Sequence, residues 1–308
     1  MDDFTSALRR GLSGTVKSPV FIVAGLLAGV VTAIALIQYG PLGSTVSGTE
    51  PDMIETIVVL LASTVLPMFV MPFLLGGALG CAVAQSAGGS ASWGLFMGSA
   101  KKHYMNLLMA GIGAWLVFYL LSLILLVLIV LGSVSVVLMM LLLVLGIVIM
   151  FIGLMFIEFY DISIVAGGAD FLRSFGASIG FVRKHLPVVV PFFLIVVGLK
   201  LLVQLPLLTA YMLKGLTILT ANMTYYENGT VNATLMNETV NSTALAMQSI
   251  SFSAPSLAAI MLLQGLVQAV VFAFVVSYKA EFYQWARNLK KITDFDYDFS
   301  ADAGLKNK

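Results

Sequence analysis

Two gapless copies of one pattern organise this chain: Ser92-Trp-Gly-Leu-Phe-Met-Gly-Ser-Ala-Lys-Lys-His-Tyr104 and Ser174-Phe-Gly-Ala-Ser-Ile-Gly-Phe-Val-Arg-Lys-His-Leu186. A weaker copy opens the chain, with Ser13, Lys17 and Pro19 at matching positions. Each copy stands directly before a long apolar run. The pattern therefore predicts three repeat units, about 1–84, 85–165 and 166–278, each a short amphipathic interfacial helix followed by a membrane hairpin.

Composition places the chain among membrane proteins. Of its 308 residues 60% are hydrophobic and only 10% are charged, and the mean hydropathy is +1.03. Soluble domains carry about 25% charged residues, and a run of about 18 or more apolar residues is long enough to span a bilayer. We therefore expect an all-α polytopic fold with six transmembrane helices in three hairpins. Residues 1–278 would form a single membrane domain, and 279–308 a cytoplasmic tail.

Small residues and one polar break predict how the spans pack. Gly25 to Gly29, and Gly76 to Gly80, have the small-residue spacing that lets helices approach closely in lipid. Gly94 and Gly98 share a helix face, as do Gly176 and Gly180, and each face could press against a neighbouring helix end. The only polar break in the apolar run from 104 to 160 is Gly132-Ser-Val-Ser135, which predicts a tight hairpin there.

Charge predicts the orientation. With both termini in the cytoplasm, every Lys and Arg except Lys200 and Lys214 lies on the inner side, as the positive-inside rule requires. The loop 215–254 would then be extracellular. It carries five acceptor sequons for N-glycosylation, at Asn222, Asn228, Asn232, Asn237 and Asn241. We expect a glycoprotein of the cell membrane, and such heavy use of sequons favours an archaeal or eukaryotic source.

The basic pairs of the repeats, Lys101/Lys102 and Arg183/Lys184, are candidate contacts for anionic lipid headgroups. The alternative is that they only set the topology. Glu158 and Asp161 are expected to cap the inner end of the fourth span and to pair with these basic residues. His103 and His185, at equivalent positions, are interpreted as interface residues.

Lys200 is the candidate for a functional site inside the membrane, because a cation at mid-bilayer costs at least about 2.5–3.5 kcal/mol. Lys200 and Gln204 are four residues apart, as are Gln264 and Gln268, so each pair lies on one helix face. Two polar stripes at matching depth predict a cavity for an anion or headgroup. The alternatives are a structural hydrogen-bond seam, or a Lys200 side chain that extends towards the outer surface.

Familiar catalytic motifs are missing from the sequence, including His-Glu-x-x-His, Walker, dinucleotide-binding and nucleophile-elbow patterns. Two His and one Cys do not make a convincing metal site. We therefore expect no enzyme activity, cofactor, metal or nucleic-acid partner.

The copies of the pattern that precede the apolar runs (the lead-ins) resemble a broad group of six-helix prokaryotic, chiefly archaeal, membrane proteins of unknown function. The run Pro72-Phe-Leu-Leu-Gly-Gly-Ala-Leu-Gly80 resembles the same group. The group includes the membrane domain of some glycerophosphodiester phosphodiesterases. The resemblance implies a six-helix fold and no phosphodiesterase activity, since no catalytic domain accompanies it. We expect a structural, scaffold or auxiliary subunit that contacts lipid, a membrane partner or a second copy. The alternative is a transporter or channel for an anionic or amphiphilic solute around Lys200.

Overall fold

The computed structural model describes residues 2–35, 57, 61–132, 135–223 and 254–292. Within those ranges the elements are helices, and a π-helical turn, Leu61–Val65, leads into the third. The helices are α1 Asp2–Lys17, α2 Pro19–Ala35, α3 Leu66–Ser86, α4 Trp93–Gly132, α5 Val136–Ile157, α6 Tyr160–Val165, α7 Phe171–Lys184, α8 Leu186–Met223 and α9 Ala254–Ile292.

Five helical segments are long and apolar enough to cross a membrane: Ser63–Ser86, Trp93–Gly132, Val136–Val165, Leu186–Ala210 and Pro255–Arg287. A sixth results if α1 and α2, which meet at a bend of 82°, count as one broken span. The chain is therefore an all-helical protein with five to six candidate membrane-spanning helices.

The three stretches that carry the shared sequence pattern adopt different local structures. The first and third form separate helices, α1 and α7, and proline follows each of them at Pro19 and Pro187. Proline lacks the N–H that a continuing helix needs, so it favours a new start. The second copy has no proline there and runs without a break into the 40 residues of α4.

Two predicted small-residue faces are confirmed as close helix contacts. A Cβ at Gly25 or Gly29 of α2 would collide with the backbone carbonyls of Ala269 and Gly265 in α9. In the same way, Gly76, Gly77 and Gly80 of α3 pack against α4, on Leu107, Phe96 and Ser99. These close approaches join helices from different predicted hairpins.

Three of the glycines on the faces predicted in the second and third copies do not press against a neighbouring helix. A Cβ at Gly94, Gly98 or Gly176 would meet nothing within 4 Å. That part of the expectation is wrong, because the neighbouring α3 packs on the adjacent face of α4, through Phe96 and Ser99.

α4 and α5 form the hairpin predicted at the polar break, with α4 ending at Gly132 and α5 beginning at Val136. The two helices interlock along their length, since Gly146 meets the Leu125 side chain and Gly153 meets Leu121. Few of their other residues are buried.

A break between α5 and α6 lies at the centre of the protein. Ser178 of α7 takes the place of the helical hydrogen bonds that the break interrupts. Its hydroxyl donates to the Phe156 carbonyl at 2.7 Å and accepts from the Phe159 amide at 3.1 Å. The Phe159 ring is fully buried against Phe192 of α8 and Phe282 of α9. These contacts bring the ends of α5, α7, α8 and α9 together.

The last two long helices exceed their predicted bounds. α8 continues to Met223 instead of ending near Met212, and α9 runs past Tyr278 to Ile292. Phe282 and Ala286 are buried in the core, so the first part of the predicted tail packs with the other long helices. α1 lies along this part of α9, where Gly11 contacts Tyr278 and Arg10 pairs with Glu281 at 3.4 Å.

Candidate functional site

Lys200 forms an ion pair with Glu158. Its Nζ lies 3.0 Å from Glu158 Oε2 and 3.2 Å from Oε1. The side chain of Lys200 is 56% exposed, whereas that of Glu158 is 9% exposed. Lys200 therefore sits at the edge of a polar site whose centre is the Glu158 carboxylate.

The second cation at this site is Lys279 of α9, which is almost fully buried. Its Nζ lies 2.8 Å from Glu158 Oε1, and 3.0 and 3.2 Å from the two carboxylate oxygens of Asp161. It also donates to the backbone carbonyl of Glu158 at 2.7 Å. We call these four residues, Glu158, Asp161, Lys200 and Lys279, the ion cluster.

The break between α5 and α6 makes the ion cluster possible. A continuous helix would use the Glu158 carbonyl in its own hydrogen-bond ladder, whereas here the carbonyl accepts from Lys279. Two carboxylates and two ammonium groups leave no net charge. Buried charges are tolerated when each is paired and its remaining hydrogen-bonding capacity is met, and the contacts of Lys279 meet that condition.

The partners predicted for Glu158 and Asp161 were wrong. Both bind Lys279, and Glu158 also binds Lys200, instead of the basic residues of the repeats. Those basic residues are exposed, and none of them forms an ion pair within the described part of the chain: Lys101, Lys102, Arg183 and Lys184. The reason is geometric, because the α9 helix continues past Tyr278 and carries Lys279 into the protein.

Sequence reasoning missed Lys279 because it counted this residue among the cytoplasmic charges. A signal was present: Lys279 lies three residues before Phe282 and seven before Ala286, on the apolar face of a helix that has no breaker after Tyr278. A cation on such a face needs a buried acidic partner. Glu158 and Asp161, three residues apart, supply it.

The glutamines form a separate polar contact. Gln264, only 1% exposed, donates through Nε2 to Gln204 Oε1 at 3.4 Å. Its own Oε1 is buried and accepts no hydrogen bond from the described residues. Gln268 is half-buried. The structure thus brings together Gln204 and Gln264 from the two predicted stripes, while Lys200 turns to Glu158.

The glycosylation sequons lie mostly beyond the described residues. Asn222 falls in the last turn of α8. The other four acceptors, Asn228, Asn232, Asn237 and Asn241, lie outside the described ranges.

The two histidines differ in their surroundings. His185 is half-buried at the start of α8, where its ring packs on Phe181 with 5.0 Å between centroids. Burial, and secondly the charge of Lys184, lower the pKa of His185. His103 is 8% exposed and lines a groove on α4.

Chemically, the ion cluster ties α5, α6, α8 and α9 to one another. Across the described ranges, no group of three or more His, Cys, Asp or Glu residues is placed to hold a metal ion. The acidic groups of the cluster are bonded to its cations, an arrangement suited to holding helices in register.

Comparison with known proteins gives a family without an activity. The model of the family described as Domain of unknown function (DUF7847) matches residues 3–286. Neither the curated proteins nor the solved structures contain a match.

Proposed function

Since the chain belongs to this family of unknown function, we propose its role from the geometry: a non-enzymatic scaffold or auxiliary subunit of the membrane, contacting lipid and partner helices. The observation that carries this proposal is the exposure of the α4–α5 hairpin. Within each candidate span an apolar stretch of 18 residues can be compared for burial. In α4 0% of that stretch is buried, and in the span that begins with α5 6% is buried. The corresponding stretches of the other three segments are 28% to 39% buried.

The exposed surface of this hairpin is chemically uniform. Its side chains are mostly large aliphatic groups, such as Val127 and Leu131 on α4 and Leu141 on α5. A helix that is apolar all round is stable in lipid or against other apolar helices. A pair of spans that contributes little to the bundle core supports a role in contacts outside this chain.

A photoreactive amino acid tests this proposal at two exposed positions. Val127 of the hairpin is 55% exposed and Val270 of α9 is 69% exposed, so both sites accept the probe without disturbing the core. We expect discrete protein adducts, or a defined lipid adduct, at Val127 and not at Val270 after irradiation in native membranes. Equal labelling at both positions, together with a partner-free monomer that carries a solute flux, would exclude the scaffold role.

A transporter or channel for an anionic or amphiphilic solute is the second candidate. It is supported by Lys200, which is half-exposed and shares its Glu158 partner with Lys279. An incoming anion could replace Glu158 as the partner of Lys200, because Lys279 would still neutralise that carboxylate. Flux of candidate anions into proteoliposomes, compared between the wild type and Lys200→Met, tests this alternative, which fails if the two rates agree.

We also propose the finer topology: α1 and α7 lie along the membrane surface, both termini are cytoplasmic, and 215–254 is outside. The distribution of Lys and Arg supports it. Expression in a eukaryotic host should give a glycosidase-sensitive mass shift, which disappears when the five sequon asparagines are changed to Gln. Wild-type protein without such a shift would count against this orientation.

A further inference from the structure

A groove of about 370 Å³ runs along the first turns of α4. That volume lies within the range of small-ligand sites. Its floor and walls come from α3, α4 and the end of α6, and include Gly94, Gly98, Lys102, His103, Val83 and Val165.

Glycine leaves the floor of this groove open. Nothing lies within 4 Å of a Cβ built at Gly94 or Gly98. The glycines of α3 behave in the opposite way, since Gly77 and Gly80 are filled by the side chains of Phe96 and Ser99. The open face therefore does not serve helix packing within the described part of the protein.

His103 is a polar group held at this groove without a partner. It is 8% exposed, yet no described residue forms a hydrogen bond with its imidazole. Its ring nitrogens are not among the fully buried atoms that lack a partner, so they are open to the groove. Lys102, the neighbouring cation, is exposed and has no acidic partner among the described residues. Together they supply an N–H donor and a positive charge beside an apolar surface.

The two repeat copies differ in what packs beside the histidine. In the third copy Phe181 packs on His185. Ser99 takes the position of Phe181 in the second copy, and its hydroxyl donates to the Gly76 carbonyl at 2.8 Å. Serine supplies no ring to cover His103 in the way that Phe181 covers His185.

We propose that this groove binds the phosphate group of an anionic amphiphile. The Lys102 ammonium and a His103 N–H bind the phosphate oxygens, and the glycine floor receives the apolar part. Charge-assisted hydrogen bonds of this kind are the stronger ones in proteins. The inference deepens the proposed lipid-contacting role, and rests on it for a lipid as the source of the phosphate.

The test uses thermal unfolding of the purified full-length protein in detergent, with three probes. Dioctanoyl phosphatidic acid supplies phosphate and chains, dioctanoylglycerol the chains alone, and inorganic phosphate the anion alone. We expect phosphatidic acid to raise the unfolding midpoint and dioctanoylglycerol to leave it unchanged. Lys102→Ala should raise the half-maximal concentration about tenfold or more.

Gly94→Leu is expected to fill part of the groove, because nothing lies within 4 Å of a Cβ at this position. Gly176→Leu is the matched control, since Gly176 holds the equivalent repeat position and is equally open. The phosphatidic acid effect should disappear in Gly94→Leu and persist in Gly176→Leu.

Inorganic phosphate acting as well as phosphatidic acid would assign the phosphate to a free anion. Equal effects of phosphatidic acid and dioctanoylglycerol, an undiminished effect in Gly94→Leu, or no effect of any probe would overturn the proposal. Any of those results leaves the cross-linking experiment at Val127 intact, because that residue lies outside the groove.

Discussion

Replacing Lys279 with Met should destabilise the protein far more than replacing Lys200 with Met. The Lys279 side chain is 7% exposed and contacts both carboxylates of the ion cluster. Its loss leaves Glu158 with Lys200, and leaves Asp161 buried without a cation among the described residues. Breaking a buried ion pair by removing one partner costs about 3–5 kcal/mol. The Lys200 side chain is 56% exposed, and Glu158 keeps Lys279 as a partner when Lys200 is lost. We therefore expect Lys200→Met to cost about as much as losing a surface pair, about 0–1 kcal/mol.

The chain carries its own reporter for this measurement. Cys81 is the single cysteine and is fully buried, so a thiol-reactive fluorogenic dye labels it on unfolding. At a fixed heating rate, Lys279→Met should lower the midpoint by roughly 10 °C, and Lys200→Met by no more than about 4 °C. Equal shifts for the two variants would refute this account of the ion cluster.

A charge-balanced double variant separates electrostatics from packing. Lys279→Met with Asp161→Asn leaves Glu158 and Lys200 as a neutral pair. The double variant should therefore be more stable than the sum of the single effects predicts, by about 1–3 kcal/mol. Strictly additive effects would mean that Lys279 acts through packing alone.

Three further predictions use the same assay. Gly29→Ala should cost about 1–3 kcal/mol, because its Cβ collides with α9. The control Gly198→Ala places a methyl group in open space and should be neutral or stabilising. Equal midpoints for the two variants would contradict the close approach of α2 and α9. Ser178→Ala should cost about 1–3 kcal/mol, because it leaves the Phe156 carbonyl and the Phe159 amide without this partner. The control Ser122→Ala loses only a local exposed hydrogen bond and should change the midpoint little. An unchanged midpoint for Ser178→Ala would show that other contacts hold the break. The pKa of His185 is lowered in the folded protein, so unfolding takes up a proton. Stability should therefore fall as the pH drops through about 6.5, and level off below the folded pKa. The fall should be smaller in His185→Gln, and an identical pH profile would refute the role of His185.

The local features of the fold could be predicted from the sequence. The polar break after Gly132 and the close approach at Gly25 and Gly29 depend on residue type and spacing, which the chain displays directly. The shared sequence pattern of the three lead-ins is also seen directly in the chain, yet two of them form separate helices and one continues into α4. Whether a lead-in continues into the following helix depends on single residues such as Pro187.

The candidate site was only partly predictable, because it depends on tertiary contacts. Lys200 stood out by its position in an apolar run, and Gln204 does meet Gln264. The central cation, Lys279, showed in the sequence only by its place on an apolar helix face, and its bonding partners depend on α9 extending into the core and on the carbonyl that the α5–α6 break presents to it. Charge counting treats such a lysine as solvent-exposed.

The contact between α2 and α9 has a consequence for the biogenesis of the protein. Gly25 and Gly29, near the start of the chain, meet Ala269 and Gly265, near the end of the described residues. During synthesis α2 is therefore made long before its partner helix. Glu158 and Asp161 likewise precede Lys279, so their main counterion arrives late. Release of a chain that stops before α9 would leave the glycine face of α2 uncovered and Asp161 without Lys279, two features that distinguish an incomplete protein from a finished one.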